Sequence, residues 1–268
     1  MREGAGDAPE DPSLGWPHLH RLRSDLGRGG LPGRLRDDRR ADRLGRVRSD
    51  GDRLARHDAG RLARGSSIRQ TRAGGRTFYV NSFDGRERYE DFFIQELVPA
   101  IDKKYRTTLS VAERGVGGTS MGGYGALHLA MRHADVFGSA SAQSAALLPS
   151  FPHPLPTDGR WGFYARVLEE PFGNPLNESW WDANNPLHLA EDPERFAHLK
   201  LYFDCGDQDR YGFNAGAEAL DKILTGKGFA HEYHLRPGGH GWSYLADYMK
   251  YALEFHWACF SAAGAKKP

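Results

Sequence analysis

Apolar positions along the chain follow two different periods from residue 77 onward. Over residues 89–105 they recur every three or four positions, the period of a helix with one buried face. Short runs of small, β-branched or aromatic residues between glycine-rich turns predict buried strands instead. The predicted strands are 115–119, 138–144, 199–205 and 230–235, and the predicted helices are 89–105, 125–133, 215–224 and 242–259.

This alternation of strands and helices predicts the fold class. Strands that alternate with helices form a parallel sheet with helices on both faces, so we expect an α/β fold. Residues 148–190 are rich in Pro, Trp and Asn with little period, which predicts an excursion outside the sheet. We also expect a short extended piece at 77–81, and Pro99 predicts a kink or a packing irregularity in the first helix.

The first 76 residues differ in composition from the rest. They hold 18 Arg, no Lys and 11 acidic residues, a net charge of +7, whereas the remaining 192 carry −6, for a total of +1. Of the 31 aromatic residues only Trp16 lies there, and Val47 and Ile68 are its only β-branched aliphatics. Such a segment buries too little apolar surface to offset the conformational entropy of folding.

Three interpretations of this Arg-rich segment stay open. We favour an out-of-frame translation, because Arg without Lys beside many Gly, Ala and Asp is what GC-rich DNA gives in a wrong frame. The second is a disordered tail. The third is a nucleic-acid arm, which the nine interleaved Asp and the lack of interleaved aromatics disfavour. We therefore expect a low-complexity segment over 1–73, an α/β domain over 74–262 and a tail over 263–268, with no nucleic-acid partner.

Several other classes are excluded by simple features. No apolar run approaches 18 residues, which predicts no membrane-spanning helix, and the N-terminus lacks the apolar core of a secretory signal. Cys205 and Cys259 are too few for a disulfide framework or a four-cysteine zinc site. We expect no cofactor and no metal. The chain as written fits the cytoplasm, or secretion if a native signal peptide was lost, and its oligomeric state is open.

The sharpest motif is Gly118-Thr-Ser120-Met-Gly122, a match to G-x-S-x-G. In that motif the serine sits on a tight strand-to-helix turn, where flanking glycines relieve crowding and the hydroxyl is exposed. A predicted strand precedes this match and a predicted helix follows it. We therefore predict Ser120 as the nucleophile, with the backbone N–H of Met121 donating to the oxyanion.

A serine hydroxyl becomes nucleophilic when a base removes its proton. Among twelve histidines, His240 stands out because it lies in a glycine-rich loop between a predicted strand and the last helix. That position is at the carboxyl edge of the sheet, where α/β active sites form. The acid that orients the base should follow the preceding strand, where we choose Asp209 and keep Asp207 as the alternative.

The order Ser120, Asp209, His240 matches the α/β-hydrolase order. Four sequence blocks resemble the putative esterase family of α/β-hydrolases, which includes esterase D (S-formylglutathione hydrolase), feruloyl esterase domains and the antigen 85 mycolyltransferases. The family's acid lies in a Gly-x-x-Asp turn, which supports Asp209. The family's first helix resembles this one in carrying a proline where Pro99 stands. The blocks are Tyr89 to Asp102, Gly118 to Ala126, Asp204 to Asp209 and Gly238 to Trp242.

The resemblance implies an α/β-hydrolase fold and a serine ester hydrolase that works through an acyl-enzyme. Family members begin with several strands, and a His-Gly loop after the third supplies a second oxyanion N–H. No His-Gly pair precedes Ser120 here, so we expect the N-terminal strands to be missing or replaced by the Arg-rich segment. The alternatives are an acyltransferase of the same family or an impaired hydrolase that lacks part of the oxyanion hole.

The expected partner is a small-molecule ester. An acyl, aryl or carbohydrate ester, or an S-acyl thioester, would suit an aromatic-lined site, and the sequence does not choose among them. Residues 148–190 would overhang the site. As substrate-binding residues we predict Trp180, Trp181 and Trp242.

Overall fold

The computed structural model describes residues 77–150, 155–156 and 158–265, except for the side chain at position 160. The Arg-rich segment 1–73 lies outside these described residues. So do its three interpretations and the expectation that it replaces the N-terminal strands. Those expectations therefore stay predictions.

The described chain is built on one parallel sheet of four strands in the order β1-β2-β3-β4. All five residues of β2 are buried, and they are small apart from one glutamine. Small residues let helices approach a sheet closely, so this strand can be covered on both sides. The strands are β1 (Gly115–Thr119), β2 (Ser139–Gln143), β3 (Lys200–Gly206) and β4 (Glu232–Arg236).

Helices connect the strands and cover both faces of the sheet, as the sequence predicted. α3 packs on β1 and β2, α7 packs on β3, and α8 packs on β2 and β3. The helices are α1 (Tyr89–Asp91), α2 (Val98–Lys104), α3 (Met121–Arg132), α4 (Gly159–Phe172), α5 (Glu178–Asn184), α6 (Pro186–Leu189), α7 (Phe213–Gly226) and α8 (Trp242–Gly264), with a π-helix at Phe92–Leu97 and 3-10 turns at Val111–Glu113 and Pro193–Phe196.

One face of β2 is joined to α8 by a partly buried histidine. Nδ1 and Nε2 of His256 lie 2.8 and 2.9 Å from the hydroxyls of Ser139 and Ser141. Burial lowers the pKa of His256 to about 4, so the imidazole is neutral at pH 7. This histidine ties α8 to the sheet.

The irregularity predicted at Pro99 takes the form of the π-helix that precedes it. Proline has no N–H and its ring crowds the carbonyl four residues earlier. The N–H of Val98 bonds to Phe93 O, a five-residue step, and Pro99 then occupies the first turn of α2, where its missing N–H costs nothing.

The extended piece predicted at 77–81 is wrong. Val80 N donates to Thr77 O at 3.0 Å, which closes a turn, and Phe78 and Tyr79 have φ of 48° and 62°. Phe78 is buried and meets Tyr124 edge-on at 5.1 Å. Packing of a buried aromatic ring therefore sets the turn at 77–80, and Asn81 after it makes an isolated antiparallel bridge with Arg88.

A buried carboxylate joins α1 to the end of α3. Glu90 is hydrogen-bonded by His128 at 3.1 Å, by Arg132 at 2.9 Å and by His133 at 2.8 Å. Burial opposes its ionisation, but the two histidine hydrogen bonds prevail and hold the pKa of Glu90 well below its usual range. His128 and His133 are thus structural.

The chain between β2 and β3 leaves the sheet, and its described residues form α4, α5 and α6. Their inner face joins the core through Phe172 and Trp181, whose rings meet at 4.8 Å. Helices therefore occupy much of a stretch in which the sequence showed little period. Among the described residues, no helix is long and apolar enough to cross a bilayer.

Candidate active site

Ser120 lies on the turn between β1 and α3, at the carboxyl end of β1, the first strand of the described sheet. Its φ of 58° and ψ of −121° fall outside the regions that non-glycine residues usually adopt. Ser120 N donates to Gln143 O at 2.9 Å, and Ser120 O accepts from Ala146 N at 2.9 Å. Neighbouring backbone thus holds the strained residue in place, as in a nucleophile elbow.

We call residues 118–123 the nucleophile turn. It closes so tightly that two of its positions have no room for a side chain. A Cβ atom on Gly118 would overlap the backbone carbonyl of Gly122, and a Cβ atom on Gly123 would lie 3.0 Å from Ala145. Gly118 of the motif, and Gly123 directly after it, are thus required by close backbone approach.

Met121 is the first residue of α3, so its backbone N–H belongs to the helix N-terminus beside Ser120. The first N–H groups of a helix have no partner inside the helix and carry partial positive charge. A negative charge that develops on an acyl oxygen at Ser120 would be stabilised there.

Asp209 and His240 are brought together at the carboxyl ends of β3 and β4. Nδ1 of His240 lies 2.8 Å from Oδ2 of Asp209, and the other carboxylate oxygen accepts from Tyr211 N at 2.8 Å. Because a carboxylate only accepts, Nδ1 carries the proton and Nε2 is left as a base. Burial opposes ionisation of Asp209, but the hydrogen bond from His240 helps to lower its pKa.

We call residues 207–209 and 238–241 the acid–base loops, and they are bonded to each other. Asp207 Oδ1 accepts from Gly238 N at 2.9 Å, and Gln208 N donates to Gly238 O at 2.9 Å. Asp207, the alternative acid, thus holds the loop backbone, whereas Asp209 holds the imidazole. The loops also have one close backbone approach, where a Cβ atom on Gly206 would overlap Gly238.

A buried carboxylate, Asp204, lies on β3 directly before the acid–base loops. Asp204 accepts from Tyr202 at 2.6 Å and from Tyr244 at 2.8 Å, and Arg236 Nε lies 3.8 Å from it. Burial raises the pKa of Asp204 even though these partners lower it. Tyr244 is in the first turn of α8, directly after the loop of His240, so this network anchors that loop.

Aromatic rings enclose the imidazole of His240. The ring of Tyr211 lies 4.7 Å away at 79°, and that of Phe213 lies 5.5 Å away at 68°. Sequence reasoning missed both residues. Their position two and four residues after Asp209 was the available signal, since side chains that follow the acid in its turn can reach the base.

Ser120 Oγ makes no hydrogen bond with any described residue, and Nε2 of His240 makes none either. Catalytic hydrogen bonds are often long without substrate and tighten when it binds. The structure therefore brings together the acid and the base, and it leaves the hydroxyl of Ser120 unengaged.

The three predicted substrate-binding tryptophans lie in different surroundings. Trp181 is 3% exposed and packs in the core against Tyr124 and Phe172. Trp180 is partly buried and donates from Nε1 to Asn81 O at 3.2 Å. Trp242 is 84% exposed at the start of α8, two residues after His240. Their substrate-binding role stays a prediction, and only Trp242 is close in sequence to the candidate base.

Within the described part of the chain, no group of three or more His, Cys, Asp or Glu side chains is arranged to hold a metal ion. Asp209, His240 and the nucleophile turn offer the kinds of group that acyl transfer by a serine nucleophile would require.

Two esterases resemble the chain in sequence. An esterase of Mycobacterium tuberculosis is 31% identical over 177 residues, which cover 60% of this chain and 38% of that protein. An acetyl esterase of Caldicellulosiruptor saccharolyticus is 27% identical over 188 residues, which cover 68% of this chain and 69% of that one. The chain thus spans well under two thirds of the length of the mycobacterial relative.

Solved structures show the same fold. A ferulic acid esterase matches with a TM-score of 0.55 at 26% identity, over 68% of this chain and 64% of that chain. An S-formylglutathione hydrolase of Agrobacterium tumefaciens matches with a TM-score of 0.52 at 23% identity, over 67% and 62%. The predicted α/β-hydrolase fold is therefore confirmed.

A family model described as putative esterase matches residues 58–255, well over half of the chain. That range contains the nucleophile turn and both acid–base loops. The resemblance inferred from four sequence blocks is confirmed, and the chain belongs to the putative esterase family.

Proposed function

We propose that this chain hydrolyses carboxylic esters of small molecules through an acyl-enzyme on Ser120, with His240 as base and Asp209 as the acid that orients it. The observation that carries the proposal is the 2.8 Å hydrogen bond between Asp209 and Nδ1 of His240. Both residues follow the carboxyl ends of their strands, as the strained Ser120 does. Membership of an esterase family supports the reaction class.

In acylation, Ser120 Oγ attacks the ester carbonyl carbon while Nε2 of His240 takes the hydroxyl proton. The C–O π bond breaks and leaves a negative charge on the former carbonyl oxygen. The tetrahedral intermediate then expels the alcohol, which takes the proton back from Nε2. The products of this half-reaction are the free alcohol and the acyl-enzyme.

In deacylation, water replaces the alcohol. Nε2 of His240 accepts one proton from water as its oxygen attacks the acyl carbon, and the second tetrahedral intermediate expels Ser120 Oγ, which takes the proton back. The carboxylic acid leaves and the enzyme returns to its starting state. Asp209 keeps its charge throughout and stabilises the imidazolium that forms at each step.

The oxyanion is stabilised by the Met121 N–H and the N-terminus of α3 in both steps. Loss of one oxyanion donor costs roughly 10²–10³ in rate in serine hydrolases. If no second donor joins Met121, we expect kcat of this chain to be lower by that factor than with both donors present.

The test is hydrolysis of p-nitrophenyl acetate by the full chain and by Ser120→Ala, with labelling by a fluorophosphonate probe as a second measurement. We expect hydrolysis and labelling by the parent chain and neither by the variant. Equal hydrolysis by Ser120→Ala would overturn the assignment of the nucleophile. Labelling of Ser120 without hydrolysis would indicate an impaired hydrolase or an acyltransferase, and an added alcohol acceptor separates these two.

A further inference from the structure

A buried thiol contacts the carboxylate that binds the candidate base. Cys205 lies near the end of β3 and is fully buried. Its Sγ lies 3.5 Å from Oδ2 of Asp209, the same oxygen that bonds to Nδ1 of His240 at 2.8 Å. One oxygen of the candidate acid is therefore shared between the imidazole and the thiol.

The turn that follows β3 returns the carboxylate to this thiol. Asp209 N donates to Gly206 O at 3.2 Å, which closes the turn, and Tyr211 N donates to Oδ1 of Asp209 at 2.8 Å. The side chain of Asp209 has no exposed surface, so protein groups must supply the hydrogen bonds that water would otherwise give it. The thiol, the imidazole and the Tyr211 N–H are three such donors.

The thiol is the donor in its contact with Asp209, because an ionised carboxylate only accepts. Burial and the negative charge of Asp209 raise the pKa of Cys205 to about 12, so the sulfur keeps its proton at neutral pH. Ser144 is another polar residue near the thiol, and its hydroxyl makes no hydrogen bond with a described residue. The thiol proton is therefore directed to the carboxylate.

A donor on the acid changes how strongly the acid acts on the base. Burial opposes the charge on Asp209, and the thiol is one of the donors, after His240 and Tyr211 N, that keep its pKa low. A hydrogen bond from sulfur offsets part of the negative charge on Oδ2. Less of that charge then remains to stabilise the imidazolium of His240, so the base stays neutral to lower pH.

Other charged and titratable groups surround this contact, and none of them changes when the sulfur is removed. The imidazole of His240 faces the ring of Tyr211 at 4.7 Å, and Arg210 lies over that ring at 5.0 Å. Burial raises the pKa of two tyrosines near the thiol, so neither titrates near neutral pH. The groups that act on the thiol from β3, β4 and α8 are Asp204, Tyr233 and Tyr244.

Resting on the proposed function, we propose that Cys205 is a positioning residue, whose thiol holds Oδ2 of Asp209 and limits the negative charge that this acid presents to His240. A buried cysteine can also act only as a small apolar residue. The two roles predict opposite results for a hydroxyl at this position. Apolar packing favours alanine over serine, whereas the hydrogen bond favours serine over alanine.

The experiment compares Cys205→Ala with Cys205→Ser, which are nearly equal in size and differ in the donor. The acid limb of the pH profile of kcat/KM reports protonation of the base in the free enzyme. With p-nitrophenyl acetate, we expect the limb of Cys205→Ala about half a pH unit above that of the parent, and the limb of Cys205→Ser within about 0.2 unit of it. The limb moves upward because the uncompensated carboxylate stabilises the imidazolium more strongly.

The matched control is Cys259→Ala, which removes the other thiol of the chain. Cys259 lies on α8 near Lys200 and Glu232, the first residues of β3 and β4, and therefore at the opposite edge of the sheet from Asp209. Its pH profile should be that of the parent.

Proton NMR gives a second measurement that does not need turnover. The low-field resonance of the His240 ring N–H is assigned by its loss in His240→Gln. Without the thiol, the hydrogen bond from Nδ1 to Oδ2 is stronger, so we expect this resonance to move to lower field in Cys205→Ala. Cys205→Ser should return it toward the parent position.

An unmoved acid limb or an unmoved resonance in Cys205→Ala would overturn the proposal, and so would an equal displacement in both variants. A resonance displaced in Cys205→Ala but not in Cys205→Ser, without Ser120-dependent hydrolysis of any ester, would support the thiol contact and overturn the proposed function instead. If Cys205→Ala does not fold, Cys205→Val and Cys205→Thr replace the pair, since they share a shape and differ in the hydroxyl.

Discussion

The nucleophile turn and the acid–base loops are held in place by different physical means. Around Ser120 the backbone is fixed by close packing, because the carbonyl of Gly122 occupies the place where a side chain at position 118 would begin. Around His240 the backbone is fixed mainly by polar side chains, through Asp207 beneath Gly238 and through Asp204 beneath Tyr244.

The nucleophile turn and the acid–base loops should therefore respond differently to substitution. Steric exclusion is all-or-none, because a new atom either fits or forces the backbone to move. Hydrogen bonds are graded, because a typical one contributes about 1 kcal/mol net and its neighbours remain. We therefore expect substitutions of the crowded glycines in the nucleophile turn to cost folding, and substitutions in the acid–base loops to cost activity or to depend on pH.

Apart from removal of the Ser120 hydroxyl itself, the largest expected effect is on activity and comes from the acid–base loops. Asp209→Asn should lower kcat by about 10⁴-fold, as loss of the orienting carboxylate does in serine proteases, because the amide no longer fixes Nδ1 as the protonated nitrogen. The free energy of unfolding should fall by only about 1 kcal/mol, since the amide oxygen still accepts from Tyr211. Steady-state kinetics and urea unfolding measure the two quantities.

Asp207→Asn is the matched control for that substitution. Asp207 bonds to Gly238 N and not to the imidazole, and an amide oxygen can accept the same bond. Its kcat should stay within about threefold of the parent value. A loss at Asp207 as large as that at Asp209 would contradict the assignment of the acid.

The next largest effect is on folding and comes from the nucleophile turn. Gly118→Ala should destabilise the protein by about 3 kcal/mol, because the new methyl overlaps the backbone of Gly122 and the turn must shift. The unfolding midpoint in urea measures this loss. In the control Gly226→Ala, nothing lies within 4 Å of the added Cβ, so stability should rise by about 0.5–1 kcal/mol. If both variants change stability by the same amount, the nucleophile turn is not held by steric exclusion.

The sequence predicted those parts of the site that depend on short-range rules. The G-x-S-x-G pattern requires a strand, a tight turn and a helix in succession, and β1, Ser120 and α3 follow that order within a few residues. Asp209 and His240 could be chosen because the carboxyl ends of parallel strands meet at one edge of the sheet.

Long-range packing decided what the sequence could not predict. The turn at Phe78 is set by a ring that fits against Tyr124, 46 positions later in the chain, and no local pattern contains that contact. Trp181 is of a residue type that often lines pockets, but it packs in the core against Phe172 of another helix. The anchor at Asp204 could not be predicted, because its partner Tyr244 is 40 residues away in the chain.

A smaller effect, dependent on pH, tests the anchor of the acid–base loops. The pKa of Asp204 is raised in the folded protein above its ordinary value of 3.8. As pH rises above about 4, the unfolded chain releases this proton first, so the parent protein loses stability until the pH passes the folded pKa. Asp204→Asn has no such proton. Its cost should be about 1 kcal/mol at pH 4 and should shrink toward pH 7.

Urea unfolding of both proteins at pH 4, 5.5 and 7 measures that trend. The substitution Asp247→Asn, at an exposed position of the same helix as Tyr244, is the matched control for removing a carboxylate. If the cost of Asp204→Asn instead grows with pH, the buried carboxylate stabilises the fold in its charged form, and the anchor works by charge rather than by neutral hydrogen bonds.

The smallest expected effect comes from removing one exposed bond between the two loops. Asp207→Ala deletes the acceptor of Gly238 N, while the bond from Gln208 N to Gly238 O remains. A single net hydrogen bond predicts a loss of about 1 kcal/mol, or roughly fivefold in kcat, with KM unchanged because the loop holds the base rather than the substrate. Glu254→Ala, an exposed acid on α8, controls for the loss of charge. A loss in kcat near 10³-fold, or a loss confined to KM, would mean that the loops do not share their support among several graded bonds.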